Sequence, residues 1–157
     1  MSVVVWRAEA EEAQTVARLL VAFRDELGSD WPSDNAFLAS VERLIEHPVE
    51  AEFLLGAPDG DAPPAGVCQL RFRHSVWTAA ADCWLEDLFV LAPARGVGLG
   101  AALLDSACER ASERGCRRIE LDVSERNAAA LELYASRGFG AKSPSGRDLF
   151  IGRRLEG

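Results

Sequence analysis

The sequence predicts an α/β (α+β) fold: a mixed, mostly antiparallel central sheet of about seven strands, with four helices. Three observations carry this. Apolar residues at Val16, Leu19, Leu20, Phe23 and Leu27 have the spacing of one helical face. Three apolar runs between residues 52 and 91 are separated only by turn-forming or irregular segments, as in an antiparallel meander. The third run leads through a glycine-rich turn into a long alanine- and leucine-rich segment, which is a strand–turn–helix pattern.

Taken in order, Val3 to Trp6 is a β-branched run and predicts a strand. The first helix covers Glu9 to Leu27 and stops at Gly28. A second begins after Pro32-Ser33-Asp34, with Ser33 or Asp34 as its cap. Its stripe is Phe37, Leu38, Val41, Leu44 and Ile45, and Pro48 ends it because the residue before proline is pushed out of helical geometry. Glu52 to Ala57, Gly66 to His74 and Asp82 to Leu91 read as strands, with "APDGDAPPAG" a turn by composition. A third helix spans Gly98 to Arg114 and ends at Gly115, and "CRRIELDVS" follows as a strand. Asn127 to Arg137 is a shorter helix closed by Gly138, and Phe139 to Ala141 and Asp148 to Arg153 complete the strands. No repeat, linker or second domain is visible, so residues 1–157 are expected to form one domain.

Composition narrows the function classes. A formal net charge of −8 argues against a nucleic-acid partner, for which a basic face is expected. It suits a cationic substrate and equally suits a surface that is acidic for solubility. No apolar run approaches the ~20 residues of a membrane span, and the N-terminus lacks a basic region followed by a long apolar stretch. A cytoplasmic protein with no membrane partner is expected. Cys68, Cys83, Cys108 and Cys116 show no C-x-x-C spacing, and His47 and His74 do not lie near them in sequence. Reduced, mostly buried thiols and no metal site are the expectation.

The glycine turn "ARGVGLGA" sits where a helix presents N–H groups without intrahelical partners and a partial positive charge. Glycines let backbone come close to a phosphate there, and Arg95 could add a cation at the rim. A P-loop is excluded by the lack of Gly-Lys-Ser/Thr. Gly96-x-Gly98-x-x-Ala101 does fit the dinucleotide fingerprint, with Glu120 about 20 residues on. Only about 56 residues follow, too few for the βαβ units that fingerprint normally opens. A tight turn with no ligand is the plain alternative.

A third reading is a resemblance. Arg95-Gly96-Val97-Gly98-Leu99-Gly100 resembles the R/Q-x-x-G-x-G/A motif of the GNAT superfamily of acetyl-CoA-dependent N-acetyltransferases, and "LEDLFVLAP" looks like the strand leading into it. "NAAALELYASRGF", Asn127 to Phe139, is similar to the family's second motif, and the element order matches along essentially the whole chain. The resemblance implies acetyl-CoA as cofactor, its diphosphate on the N–H groups of Arg95, Gly96, Val97, Gly98, Leu99, Gly100 and Ala101. It implies a pantetheine arm bonded to backbone around Leu88, Phe89 and Val90, beside a strand that a bulge usually splays from its neighbour. It implies a cofactor contact at Asn127, which as an isolated residue is equally a helix N-cap. A homodimer is also expected, as for many members of the family.

Acetyl transfer to an amine needs a proton acceptor, because an amine near pH 7 is mostly ammonium. Glu86 and Asp87 are the candidates. On an unbroken strand Trp84, Glu86, Leu88 and Val90 share one face and Cys83, Leu85, Asp87 and Phe89 the other, so one acid faces the reacting atoms unless a bulge re-aims them. The family pattern implies Glu86 as base, through a water, with Asp87 binding substrate; each is also readable as a surface acid. Tyr134, the only tyrosine, stands where the family donates a proton to the departing sulfur. It is also readable as a packed aromatic beside Ala130 and Leu131. A backbone N–H, that of Leu88, is expected to hold the thioester oxygen. Cys83 has no adjacent histidine in sequence to lower its pKa, so direct transfer in a ternary complex is expected rather than an acyl-enzyme.

The look of the chain is nearest to the branch acting on diamines and polyamines, but Ser145, Gly146 and Arg147 stand where that branch's C-terminal acids are expected. Trp77, Trp31 and Phe23 are candidates for an apolar wall of the amine pocket. The expected partner is a small-molecule primary amine. A protein or peptide N-terminus, an aminoglycoside acceptor, and a non-catalytic acetyl-CoA-binding domain are the alternatives.

Overall fold

A computed structural model describes residues 2–143, 146, 147 and 151–156. The elements are β1 (Val4–Arg7), α1 (Ala13–Glu26), α2 (Asp34–Ile45), β2 (Ala51–Ala57), β3 (Gly66–Ser75), β4 (Ala80–Val90), α3 (Leu99–Glu113), β5 (Ile119–Glu120), α4 (Ala128–Ser136), β6 (Lys142–Ser143) and β7 (Gly146–Arg147). They fall into two compact units, Met1–Leu121 and Asp122–Gly157. Among the described residues no helix is long and apolar enough to cross a membrane.

The first unit holds a five-stranded sheet in the order β1-β2-β3-β4-β5. Neighbours from β1 to β4 run antiparallel, and β4 and β5 run parallel. The sheet is mixed and mostly antiparallel as expected, but among the described residues it has five strands rather than about seven. In the second unit β6 and β7 pair with each other. Phe139, expected to begin a strand, gives its N–H to the Tyr134 carbonyl at 3.0 Å and so closes α4. Of the last expected strand, Asp148, Leu149 and Phe150 lie outside the described residues, and Ile151–Arg153 form no strand.

Helix ends follow the chemistry of the sequence. Ser33 caps α2, its Oγ accepting from the Ala36 N–H at 3.1 Å. Asp34, the other cap candidate, instead pairs with Arg24 at 2.8 Å. Gly28, Gly115 and Gly138 have φ of 77°, 78° and 85° just past the ends of α1, α3 and α4. That left-handed turn is open to glycine without a Cβ penalty and lets the next residue's N–H reach back to the helix.

β2 is buried along its whole length because both sheet faces are covered. On one face Val16, Leu19 and Leu20 of α1 and Val41 of α2 join Phe53, Leu55, Val67 and Phe89 in one core. On the other, α3 buries Leu99, Leu103, Leu104 and Ala107. Gly56 and Gly66 stand opposite one another in the β2–β3 register. A Cβ at Gly56 would lie 2.7 Å from Leu99 Cδ1, and one at Gly66 2.8 Å from Leu103 Cδ1. The paired glycines form a notch that seats the first turns of α3 directly on the sheet.

Glu52 fastens α3 further along. Its side chain is 1% exposed, and it accepts from Arg110 at 2.7 and 2.9 Å and from Arg114 at 2.9 Å, with Arg7 at 3.7 Å. Burial pushes the Glu52 carboxyl up, but the bonds from Arg110 and Arg114 and the charge of Arg7 outweigh it and hold the group below its ordinary range. A depressed folded-state pKa means the stabilisation is complete above the unfolded carboxyl's pKa and is lost as pH falls through the folded value. Glu52→Gln is expected to cost about 3 kcal/mol at pH 7 and to flatten the acid side of the stability–pH curve. Urea unfolding of both proteins from pH 7 to pH 3 checks it, and parallel curves would refute it.

Candidate active site

The glycine turn is built as an anion cradle. Gly96 and Gly98 have φ of 85° and 87°, and a Cβ at either would meet nothing within 4 Å. The backbone is therefore bare toward open space. The first bond across the start of α3 runs from the Ala102 N–H to the Gly98 carbonyl, 3.0 Å. The amides of Leu99, Gly100 and Ala101 thus have no carbonyl within the helix to serve. Val97, 56% exposed, stands at the rim. This arrangement fits a diphosphate. Arg95 is committed elsewhere: it donates to the Val90 carbonyl at 2.8 Å and to both oxygens of Glu26 at 2.6 and 2.8 Å. Its guanidinium also lies 5.7 Å from the Phe89 ring centre. The side chain joins the end of β4 to the end of α1, and the Arg95 N–H is given to the Ala92 carbonyl at 3.2 Å, so the cradle begins at Gly96 rather than at Arg95 as expected.

β4 carries the geometry that regular alternation misses. Leu85 opposes Leu70 and Asp87 opposes Gln69, so Glu86 is an extra residue, a bulge. Directly opposed residues share a sheet face. Cys83, Leu85 and Leu88 therefore lie with Phe72, Leu70 and Cys68, whereas Trp84, Asp87 and Phe89 lie with Arg71, Gln69 and Val67. This corrects the expected faces: the bulge turns Asp87 to the side opposite Leu85 and leaves Glu86 exposed. The strand parts from its neighbour at the same place. β4 pairs with β5 only through Cys83 and Trp84, where Arg118 also holds Asp82 at 2.8 Å. From Leu85 to Val90 that edge meets no strand among the described residues, so extended backbone of a ligand could be added there. Leu88 is half-buried, and Phe89 is buried with its ring stacked on Phe23 at 5.0 Å.

Asp87 opens onto a cavity of about 150 Å³. Its apolar walls are Leu20 of α1, Phe37, Val41 and Leu44 of α2, and Phe53 of β2, with Pro32 and Ala36 also lining it. Gln69, 7% exposed, and Ser40 add polar atoms. The sequence marked Phe37 only as part of the α2 stripe and gave no role to Gln69 or Ser40. The available signal was a lone amide within the apolar strand "GVCQLRF", but nothing local tells which face it takes. The three expected wall residues lie elsewhere. Phe23 packs on Phe89, Trp31 is 68% exposed beside Pro32, and Trp77 is 92% exposed at the β3–β4 hairpin tip. At ~3.3 Å per residue Ser75 already stands about 20 Å from Gln69 along β3.

In the second unit Asn127 caps α4, its Oδ1 accepting from the Ala130 N–H at 3.1 Å. The amide Nδ2 is the half that could donate to a ligand. Tyr134 and Phe139 rings lie 5.8 Å apart, the contact that accompanies the glycine-closed end of α4.

The thiols are chemically quiet. Burial pushes the Cys83 thiol up to about 12, and Cys68 is pushed up in the same way by its complete burial. Near neutral pH both are thiols rather than nucleophilic thiolates. Among the described residues no group of three or more His, Cys, Asp or Glu side chains could hold a metal ion.

Comparison with known proteins agrees with this architecture. A thialysine N-epsilon-acetyltransferase from Sus scrofa is 33% identical over 102 residues, 62% of this chain and 57% of the pig protein. The chain thus spans little more than half of that relative. The Mus musculus protein of the same name is 31% identical over 150 residues, 95% of this chain and 82% of the mouse protein. A solved structure from Arthrobacter sp. FB24, assigned as an acetyltransferase, superposes with a TM-score of 0.86 at 31% identity, covering 97% of this chain and 96% of that one. The Acetyltransferase (GNAT) family profile matches residues 16–139, which include the bulge, the glycine turn and the α4 motif. This chain belongs to the GNAT family of acetyltransferases.

Proposed function

We propose that this protein is an acetyl-CoA-dependent N-acetyltransferase that moves the acetyl group to the primary amine of a small molecule by direct transfer in a ternary complex. The observation that carries the reading is the coincidence, at Glu86, of the bulge in β4 with the point where β4 parts from β5. Acetyl-CoA supplies the activated thioester carbonyl. The amides from Gly96 to Ala101 hold its diphosphate, and the free edge of β4 around Leu88, Phe89 and Val90 takes the pantetheine arm as an added strand. Asn127 donates a further contact.

Glu86 stands exposed beside that edge and accepts the ammonium proton through a water. Asp87, turned to the opposite side, holds the acceptor. The Leu88 N–H polarises the carbonyl oxygen where negative charge develops. The Tyr134 phenol, a group protonated at neutral pH, gives its proton to the leaving thiolate. Cys83, buried and un-ionised, takes no acetyl group, so transfer is direct. The homodimer that belongs to this reading rests on the family resemblance.

A thiol-release assay across a panel of primary amines tests it. The panel includes thialysine, and a peptide beginning with alanine, because another relative, from Bacillus subtilis at 30% identity, bears a name for ribosomal-protein alanine acetylation. Amine-dependent release of coenzyme A is expected. Cofactor binding with no amine-dependent release would instead make the chain a binding domain.

A further inference from the structure

Arg95 gives no amide to the cradle, yet its side chain is bonded into the free edge of β4. We infer that Arg95 is a positioning residue for acetyl transfer: its guanidinium occupies the Val90 carbonyl, which leaves the Leu88 carbonyl as the acceptor for an amide of the pantetheine arm. The inference rests on the acetyltransfer reading above and deepens it at the cofactor edge.

The pairing of β4 fixes which groups point outward. In an antiparallel pair, successive residues turn their N–H and C=O groups alternately toward and away from the partner strand. The Leu91 N–H donates to the Ala65 carbonyl at 2.8 Å, and Val90 stands opposite Gly66. Leu91 and Phe89 therefore face β3, whereas Val90 and Leu88 face the edge that β5 leaves after Trp84. Past the bulge that edge carries two carbonyls, those of Leu88 and Val90. A 3₁₀ turn over Ala92–Ala94 brings the chain round so that Arg95 reaches back five residues, its Nε donating to the Val90 carbonyl at 2.8 Å.

The guanidinium is held there from its other end. Nη2 donates to both oxygens of Glu26, at 2.6 and 2.8 Å. Phe23, one turn before Glu26 on α1, stacks on Phe89, and the guanidinium lies 5.7 Å from the centre of that same ring. A rigid fork held at Nε and Nη2 cannot rotate without giving up both partners. The ion pair is half-exposed and weak by itself; what it supplies is orientation. An added strand can slip by one hydrogen-bond repeat, two residues or about 7 Å. With the Val90 carbonyl open, an arm N–H could take it in place of the Leu88 carbonyl. The arm would then buckle between that bond and the glycine turn, and the thioester would stop short of Glu86 and the Leu88 N–H. Arg95 closes that register. It acts on the reaction through the arm and touches none of the reacting atoms.

Arg95→Met keeps the side chain as far as the position of Nε and removes the donor. With the fastest amine of the thiol-release panel it is expected to lower kcat about tenfold or more. The acetyl-CoA KM is expected to be no higher than the native value, because the arm gains a second way to bind. Arg95→Gln sets its Nε2 as many bonds from the backbone as the arginine Nε, and is expected to recover most of the lost kcat. A raised acetyl-CoA KM with native kcat would make Arg95 only a brace for the turn and overturns the inference. Native constants in Arg95→Met, or a Gln variant no better than the Met variant, also overturn it, and all three results leave acetyltransfer standing. A crystal structure of the native protein with coenzyme A decides the matter without variants or an acceptor. An arm N–H on the Leu88 carbonyl, with Arg95 still on Val90, upholds the inference. An arm N–H on the Val90 carbonyl, or a guanidinium turned onto the diphosphate, overturns it. Coenzyme A absent from both edge and turn is a different failure, that of the acetyltransfer reading, and it removes the inference as well.

Discussion

Gly98→Asp is expected to lower affinity for coenzyme A by about a hundredfold or more while the protein still folds. Gly98 has φ of 87°, and the space around its missing Cβ is open. A side chain there clashes with nothing, but it forces an L-residue into left-handed geometry at about 1–2 kcal/mol. The carboxylate would occupy the region where the diphosphate meets the start of α3, taking up the partial positive charge and repelling the ligand. The strain is common to the free and the bound protein and lowers the melting temperature, whereas the occupied site and the repulsion lower affinity by about two powers of ten. Titration calorimetry with coenzyme A, beside a thermal melt, measures both sides. Gly98→Ala, which carries the backbone strain without the charge, is expected to melt lower than the native protein while losing less affinity than the Asp variant. Equal affinity of the Asp variant and the native chain would remove the phosphate cradle and, with it, the cofactor reading.

Tyr134→Phe is expected to lower kcat by about 10²- to 10³-fold, with coenzyme A affinity unchanged. The substitution removes one oxygen and keeps the ring that packs on Phe139. The end of α4 is closed by backbone bonds, from Gly138 to Ala135 and from Phe139 to Tyr134, which the change leaves in place. The loss therefore reads the hydroxyl rather than the fold. Single-turnover measurements at saturating acetyl-CoA separate the chemical step from binding. Turnover equal to that of the native protein would strip Tyr134 of the acid role.

Much of the architecture could be read from local sequence because local physics decides it. The stripe of Val16, Leu19, Leu20 and Phe23, the Ser33 cap and the glycines at 28, 115 and 138 each act within a few residues of the structure they set. What could not be read depends on a partner strand. "CWLEDLFV" looks like an ordinary alternation, and only the β3 register shows that Glu86 is the extra residue. "CRRIELDVS" has the pattern of a longer strand, but β5 is ordered as a strand for just two residues because β4 parts from it after Trp84. Phe139 was expected in the sheet, yet its N–H closes a helix. The lining of the cavity was hidden for a related reason: Gln69 and Asp87 come together across a pair of strands, and their shared face is set by the bulge.

The facing glycines at 56 and 66 let the protein's interior set the position of the glycine turn. Leu99 and Leu103 rest where side chains would otherwise begin, and Leu99 is also the first residue of the helix whose amides form the proposed phosphate seat. The seat for the ligand is thus assembled before anything binds, and docking need not spend free energy on ordering it. A single methyl group at either glycine would meet Leu99 or Leu103 and press the start of α3 away from the sheet, so two positions on β2 and β3 set the height of that seat.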